Sequence, residues 1–248
     1  MTLLKHIYVV TIKRNAERQP RIRKILNDHS LNFSFVCGVD GQDLKPKQVE
    51  KVFDAEASRK RLKYDLTKNE IACSLSHIKA LKLFLENDQQ EFALILEDDI
   101  DILNFESLPL ALQHIPDEET WDLLYFGYQK MNMRMPKAIY IKWRFIYPIL
   151  NFLKIKRYDL KKIRLIFAEP FNTYWFRAGS HNESHAYLVS RAAAEKIIAY
   201  NTPVTLHADT VLRDMITAGK LKAYALNKPI FEQSDSLVSS IGVRNTSI

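Results

Sequence analysis

The sequence predicts an α/β fold built on a parallel sheet flanked by helices. Two observations carry that reading. Over residues 6–41 an apolar strand, an amphipathic helix and a second strand follow one another, and over 66–96 a capped helix runs directly into another apolar strand. Strand, helix, strand is the repeating unit of parallel α/β sheets.

Taken in order, "HIYVVTI" (6–12) is a buried strand. "NAERQPRIRKILNDHS" is the helix after it, with Asn15 as N-cap and Pro20 in the early turns. "NFSFVCGVDG" (32–41) alternates as a strand into a turn, and the charged stretch 45–64 reads as surface helix or irregular chain. In "LTKNEIACSLSHIKALKLFLEND", Thr67 and Glu70 stand at capping-box spacing, and apolar residues recur at 71, 75, 78, 81 and 85. That helix leads to a strand at 92–96. "WDLLYFG" (121–127) is a further strand, "ESHAYLVSRAAAEKIIAY" a short strand running into a helix, "PVTLHADTVLRDMITAG" another helix, and "LKAYALNKPIFEQ" one or two late strands. The expected organisation is one domain over 1–232, a basic insert at about 134–170, and a polar tail, 233–248.

With 248 residues, 47% of them apolar, the chain has enough apolar material for one sizeable core. Cys37 and Cys73 match no metal spacing and read as reduced core thiols, with a disulfide between them as the alternative. Lys5 and His6 interrupt the first apolar run, which therefore reads as a strand and not a signal peptide. The longest later run, "FIYPILNFL", is far short of the about 20 residues a spanning helix needs. Charge is uneven. Between Lys137 and Arg164 nine basic residues stand against one acid, Asp159, so this stretch carries +8 of a chain total of +7 and the remainder is −1.

The chemistry concentrates in "ALILEDDID" (93–101), where an apolar strand runs into four acids. Carboxylates this close raise one another's pKa unless a cation or a functional demand offsets the repulsion. In open α/β sheets the carboxyl ends of strands are where ligands bind. Side-chain alternation puts Glu97 and Asp99 on one face and Asp98 on the other, and two such carboxylates make a hard oxygen site suited to Mn²⁺ or Mg²⁺. The competing reading is a solvated acidic loop.

The blocks "IYVVTIKRNAERQPRI", "GVDG", "LTKNEIACSLSHIKAL", "ALILEDD", "WDLLYFG" and "SHAYLVSRAAAEKII", in this order and spacing, resemble glycosyltransferase family 25. That family contains bacterial lipooligosaccharide galactosyltransferases and animal procollagen galactosyltransferases. The resemblance implies a GT-A-like, Rossmann-type fold with a mixed, mostly parallel sheet. It also implies inverting transfer of a hexose, usually galactose from UDP-galactose. By the same resemblance Glu97 and Asp99 would hold the metal and Asp98 would belong to the donor site. Asp209 would be the base, with Glu183 in reserve. Thr11, Arg14, Arg18 and Asp40 would meet the donor, with Ser76 and His77 lining the site. The chain departs from the family pattern at His207 and Ala208, where Pro and Val are usual, and at Asn69 and Ala72, where Gly is usual. His207 is a further candidate to reach the metal.

"HNESH" brings His181 and His185 within four positions but lacks the HExxH arrangement, so zinc is not expected; the family resemblance implies instead that Glu183 and His185 line the acceptor side. The insert interleaves Lys and Arg with aromatic and aliphatic residues, a pattern suited to an anionic membrane surface. The alternative for the insert is packing on the core with a solvated basic face. The expected partners are thus a UDP-sugar, a lipid-linked oligosaccharide acceptor and an anionic membrane, without nucleic acid, in a cytoplasmic protein peripheral to the inner face of a bacterial inner membrane. The alternative functions are a non-catalytic membrane- or glycan-binding protein and a metal-dependent phosphohydrolase.

Overall fold

The computed structural model describes residues 4–87, 90–117, 121–129, 131, 135–234 and 237, and of residues 182–184 the backbone alone. The expected polar tail lies outside the described residues beyond position 234, apart from 237.

Among the described residues ten strands form two sheets. The first three, β1 (Ile7–Thr11), β2 (Phe33–Cys37) and β3 (Phe92–Glu97), are joined through α1 (Gln19–Asp28) and through α2 (Pro46–Val52), α3 (Ala55–Leu62) and α4 (Lys68–Leu85). Then come β4 (Ile100–Ile102), α5 (Leu108–Gln113) and β5 (Leu123–Gln129). The basic insert is helical: α6 (Lys137–Ile141), a π-helical turn (Lys142–Ile146), α7 (Tyr147–Phe152) and α8 (Leu160–Leu165). β6 (Glu169–Pro170), β7 (Trp175–Arg177), β8 (Asn182–Ser190), α9 (Arg191–Tyr200), α10 (Ala208–Thr217), β9 (Ala223–Leu226) and β10 (Phe231–Gln233) complete the described chain.

The main sheet has the order β2-β1-β3-β8-β5-β9-β7-β6, and β10 pairs with β4 in a small second sheet. β1 is parallel to both β2 and β3, and β5 is parallel to β9. β8 runs antiparallel between β3 and β5, and β7 is antiparallel to β9 and β6. All main-sheet strands but β8 and β7 therefore point one way, which is the mixed, mostly parallel sheet expected.

Strand alternation sorts the apolar residues onto two faces. Ala93 and Ile95 of β3, with Tyr187 and Val189 of β8, face α4, α9 and α10. Leu94 and Leu96, with Leu188 and Phe126, face α1 and α5. Both faces are covered, so β3 is apolar from Ala93 to Leu96 with none of these four exposed. Burying each large aliphatic side chain stabilises by about 1.5–3 kcal/mol.

α4 starts where expected: Thr67 Oγ1 accepts from Glu70 N at 3.2 Å and Glu70 Oε2 accepts from Thr67 N at 2.8 Å. The helix after β1 differs from expectation. Pro20 has no N–H to donate and fits only a first helical turn, so α1 begins at Gln19 and Lys13–Arg18 forms a 3₁₀ segment instead. Asn15 is not an N-cap. It is buried, with its amide 3.5 Å from Asp98.

Candidate active site

β1 and β3 lie side by side and end together, and the 3₁₀ segment, the Asp98–Asp99 turn and the first half of α4 enclose a cleft at those carboxyl ends. Glu97 is the last residue of β3, so strand alternation stops there and does not govern Asp99. All three acids line the same cleft, which corrects the expectation that Asp98 points away.

Their surroundings give them different roles. Asp98 accepts from Thr11 Oγ1 at 2.6 Å and from Arg18 Nη1 at 2.8 Å, with both charged side chains 8% exposed. Burial pushes the Asp98 carboxyl above its ordinary value, against the opposing pull of Thr11 and Arg18. Asp98 therefore ties the 3₁₀ segment to the end of β3, and Thr11 and Arg18 hold an acid where the sequence suggests donor contacts. In Asp99, Oδ2 accepts from Gln233 Nε2 at 2.9 Å and lies 3.8 Å from Arg18, while Oδ1 is buried and has no hydrogen-bond partner. A buried carboxylate oxygen left this way costs free energy unless a ligand or cation satisfies it.

Glu97 Oε1 lies 3.5 Å from His77 Nε2, and His77 Nδ1 lies 2.9 Å from the Tyr187 hydroxyl. Burial pushes the Tyr187 hydroxyl well up, reinforced by Glu97, Cys73 and Asp209, so it keeps its proton and donates. Burial also lowers the His77 pKa, with Asp209 opposing. A neutral ring accepting at Nδ1 presents Nε2–H toward Glu97, which gives a polar chain from Tyr187 through His77 to the cleft.

Asp209 sits in the first turn of α10 and lines an adjoining pocket with Ser74, His77 and Tyr187, so His77 is shared between pocket and cleft. Two glycines let the walls approach. A Cβ on Gly38 would meet Ser76 Oγ at 2.6 Å, and one on Gly41 would meet Asn69 Oδ1 at 2.2 Å and its backbone N at 2.7 Å.

The family described as "Glycosyltransferase family 25 (LPS biosynthesis protein)" matches residues 4–212. This chain belongs to glycosyltransferase family 25. A "Glycosyltransferase 25 family member" of Anopheles gambiae is 32% identical over 148 residues, 55% of this chain and 24% of that protein. Human "Procollagen galactosyltransferase 2" is 26% identical over 137 residues, 53% of this chain and 22% of that protein. The matched stretch thus spans less than a quarter of these relatives. Among solved structures, the inositol-1-phosphate CTP transferase from T. maritima is similar with a TM-score of 0.44 and 12% identity, covering 96% of this chain and 94% of that one. Galactosyltransferase LgtC in complex with donor and acceptor sugar analogs is similar with a TM-score of 0.41 and 10% identity, covering 93% and 87%.

In this family 25 chain the cleft collects Thr11, Arg14, Arg18, Ser76, His77, Glu97, Asp98 and Asp99. Asp40 stands one contact away: Oδ2 is 3.3 Å from Arg14 Nε at the mouth, and Oδ1 accepts from Gln42 N at 2.9 Å. Ser76 is occupied as a wall residue, its Oγ accepting from Val39 N at 2.8 Å and donating to Ala72 O at 2.8 Å. Asp101 pairs with Arg21. The side chain of Glu183 lies outside the described residues. His207 turns its ring to Thr210, with Nε2 2.6 Å from Oγ1.

The two histidines of "HNESH" part company. His181 packs its ring against Tyr125 and bonds Gly179 O at 3.1 Å, and burial lowers its pKa to about 4. His185 corrects the acceptor-side expectation: it is 2% exposed, and its Nε2 donates to Phe231 O at 3.0 Å beside Gly127. The cysteines are free thiols, but they are not core residues: Cys37 is exposed and Cys73 forms part of the cleft wall. Sequence reading missed Asn15, Cys73 and Gln233 in the cleft. Pro20 was the signal for Asn15. Gln233 left none, because it arrives through the pairing of β10 with β4, 134 positions from Asp99.

Proposed function

We propose that the cleft binds a UDP-sugar, UDP-galactose in the leading reading, and that the chain transfers the hexose with inversion to a sugar hydroxyl of a lipid-linked lipooligosaccharide. The setting is the cytoplasmic face of a bacterial inner membrane. The observation that carries this reading is the buried, partnerless Oδ1 of Asp99 in a cleft shared with Glu97, at the carboxyl ends of β1 and β3 in a family 25 chain.

Mn²⁺ or Mg²⁺ fits this donor set. Both ions take carboxylate oxygens, and Asp99 holds one such oxygen unsatisfied. Among the described residues no group of three His, Cys, Asp or Glu side chains is arranged for a metal, so Glu97 and Asp99 would hold it and substrate phosphate and water would complete its shell. When bound, the metal supplies charge neutralisation for the departing diphosphate. Arg14 at the mouth faces the phosphate side in this reading. Asp98 positions the turn through Arg18 and Thr11. Asp209, in the adjoining pocket, takes the proton from the attacking hydroxyl onto its carboxylate.

The first test is thermal unfolding with UDP, GDP and CMP, each with and without Mn²⁺. A ligand that binds only the folded chain stabilises it by about 2.7 kcal/mol at a hundred times its Kd. The expected result is a rise in Tm with UDP that needs Mn²⁺ and is lost in Glu97→Gln. No shift with any nucleotide overturns the donor assignment. A shift without turnover of any UDP-sugar, unaffected by Asp209→Asn, would move the reading to a glycan-binding protein.

A further inference from the structure

We propose that the exposed face of the continuous helical segment α6–α7 docks on an anionic lipid bilayer. Ile141, Phe145, Ile149 and Phe152 recur at helical spacing, and their exposures are 53%, 58%, 57% and 85%. Ile146, Leu153 and Ile155 extend the same exposed apolar surface. A soluble monomer rarely leaves so many large apolar side chains contiguous in water.

The opposite side of this segment is already occupied. Trp143 Nε1 donates to Leu160 O at 2.8 Å, and Tyr147 stacks on Tyr158 with ring centroids 4.0 Å apart. Asn151 clamps the turn, its Nδ2 donating to Tyr158 O at 2.9 Å and its Oδ1 accepting from Tyr158 N at 2.7 Å. These contacts fix the segment against the start of α8, so the outer face cannot fold inward to bury itself. Lys161 of α8 lies beside Gly219, just past the end of α10.

Charge selects the occupant. The insert carries +8, and among the described residues only Arg164 of its nine basic side chains forms an ion pair, with Glu169 at 2.7 Å. Lys142 and Arg144 stand within the apolar stripe, and Lys154, Lys156 and Arg157 follow it. A second copy of this chain would bring +8 against +8. A nucleic acid would leave the aliphatic stripe uncovered. An anionic bilayer satisfies both halves: the headgroups take the charge and the acyl boundary takes Phe145, Ile149 and Phe152. No described helix is long and apolar enough to cross a membrane, so the contact is interfacial. α10, against which the insert rests, carries Asp209 in its first turn, so docking would bring the adjoining pocket toward a lipid-linked acceptor. That last link rests on the proposed function, whereas the docking itself does not.

The test is flotation of the full chain with vesicles of phosphatidylcholine alone and of phosphatidylcholine with an equal part of phosphatidylglycerol, with UDP stabilisation measured in parallel on the same proteins. The expected result is binding to the anionic vesicles only, weakened by salt. Lys154→Gln, Lys156→Gln and Arg157→Gln together should lower it on the order of a hundredfold, at about fivefold per basic residue. Phe152→Ser should lower it about tenfold. Circular dichroism and UDP stabilisation should stay unchanged in both variants, since these side chains are exposed. Equal binding to both vesicles, or an unaltered triple variant, overturns the proposal. So does self-association in sedimentation, or binding to a single-stranded RNA, that is lost in Phe152→Ser while vesicles are ignored. Loss of UDP stabilisation with vesicle binding intact would count against the donor site and leave the docking surface standing.

Discussion

Replacing Arg18 with Met tests the assignment of Asp98 as an anchor. The guanidinium donates to Asp98 at 2.8 Å and lies 3.8 Å from Asp99, and both Arg18 and Asp98 are 8% exposed. At that depth solvent screens the pair little, and removing one partner strands a buried charge, which costs about 3–5 kcal/mol. That is a large share of the roughly 5–15 kcal/mol that holds a domain folded. The loss should depend on pH. Arg18 lowers the Asp98 pKa against a burial effect that raises it, so without Arg18 the carboxyl moves further up. A carboxyl whose folded pKa lies above its unfolded value destabilises the fold as pH rises past the unfolded value, so the deficit of Arg18→Met is greatest near neutrality and shrinks toward pH 4. The assay is urea unfolding of wild type, Arg18→Met, Asp98→Asn and the double variant at pH 7 and pH 4.5. The double variant should be more stable at pH 7 than Arg18→Met alone, because the Asp98 charge is no longer stranded. A cost below about 1 kcal/mol for Arg18→Met, in the range of surface pairs, refutes the argument, as does strict additivity in the cycle.

Three further outcomes follow from single contacts. His181 is 1% exposed with its pKa lowered to about 4 from 6.5, so the unfolded chain binds a proton that the fold refuses. Its stabilising share is complete above the unfolded value and falls away as pH drops toward 4. Between pH 7 and pH 5 the chain should lose about 2 kcal/mol through this group, and His181→Gln should flatten that part of the profile in urea unfolding. Gly41→Ala drives a methyl to within 2.7 Å of Asn69 backbone, so it should cost about 1–3 kcal/mol and weaken UDP stabilisation by displacing the start of α4 from the cleft. Thr67→Ala removes the cap of α4 and should cost about 1 kcal/mol by thermal unfolding, with UDP stabilisation retained.

Several features were legible without coordinates because they depend on neighbours close in sequence. Helical and strand periodicity, the Thr67–Glu70 box, the acids ending an apolar strand and the charged insert are all local patterns, and each stands in the structure as an element or a cluster. Pro20 was local information too, and it outweighed the cap assigned to Asn15. What the sequence by itself determined, then, is the set of elements, the place where carboxylates accumulate and the segment that holds the surplus charge. The division of labour among those carboxylates was decided by tertiary structure. Asp98 met Thr11 and Arg18 because β1 and β3, 87 positions apart at that contact, pair in parallel. β8 lies antiparallel between β3 and β5, which buries His185 and sets Tyr187 against His77. Asp99 came to share its carboxylate with Gln233 through β10. Hydrophobic periodicity specifies which face of a strand is buried, but not which distant strand lies beside it; that choice comes from packing the whole sheet, and it left one oxygen of Asp99 without a partner in the cleft.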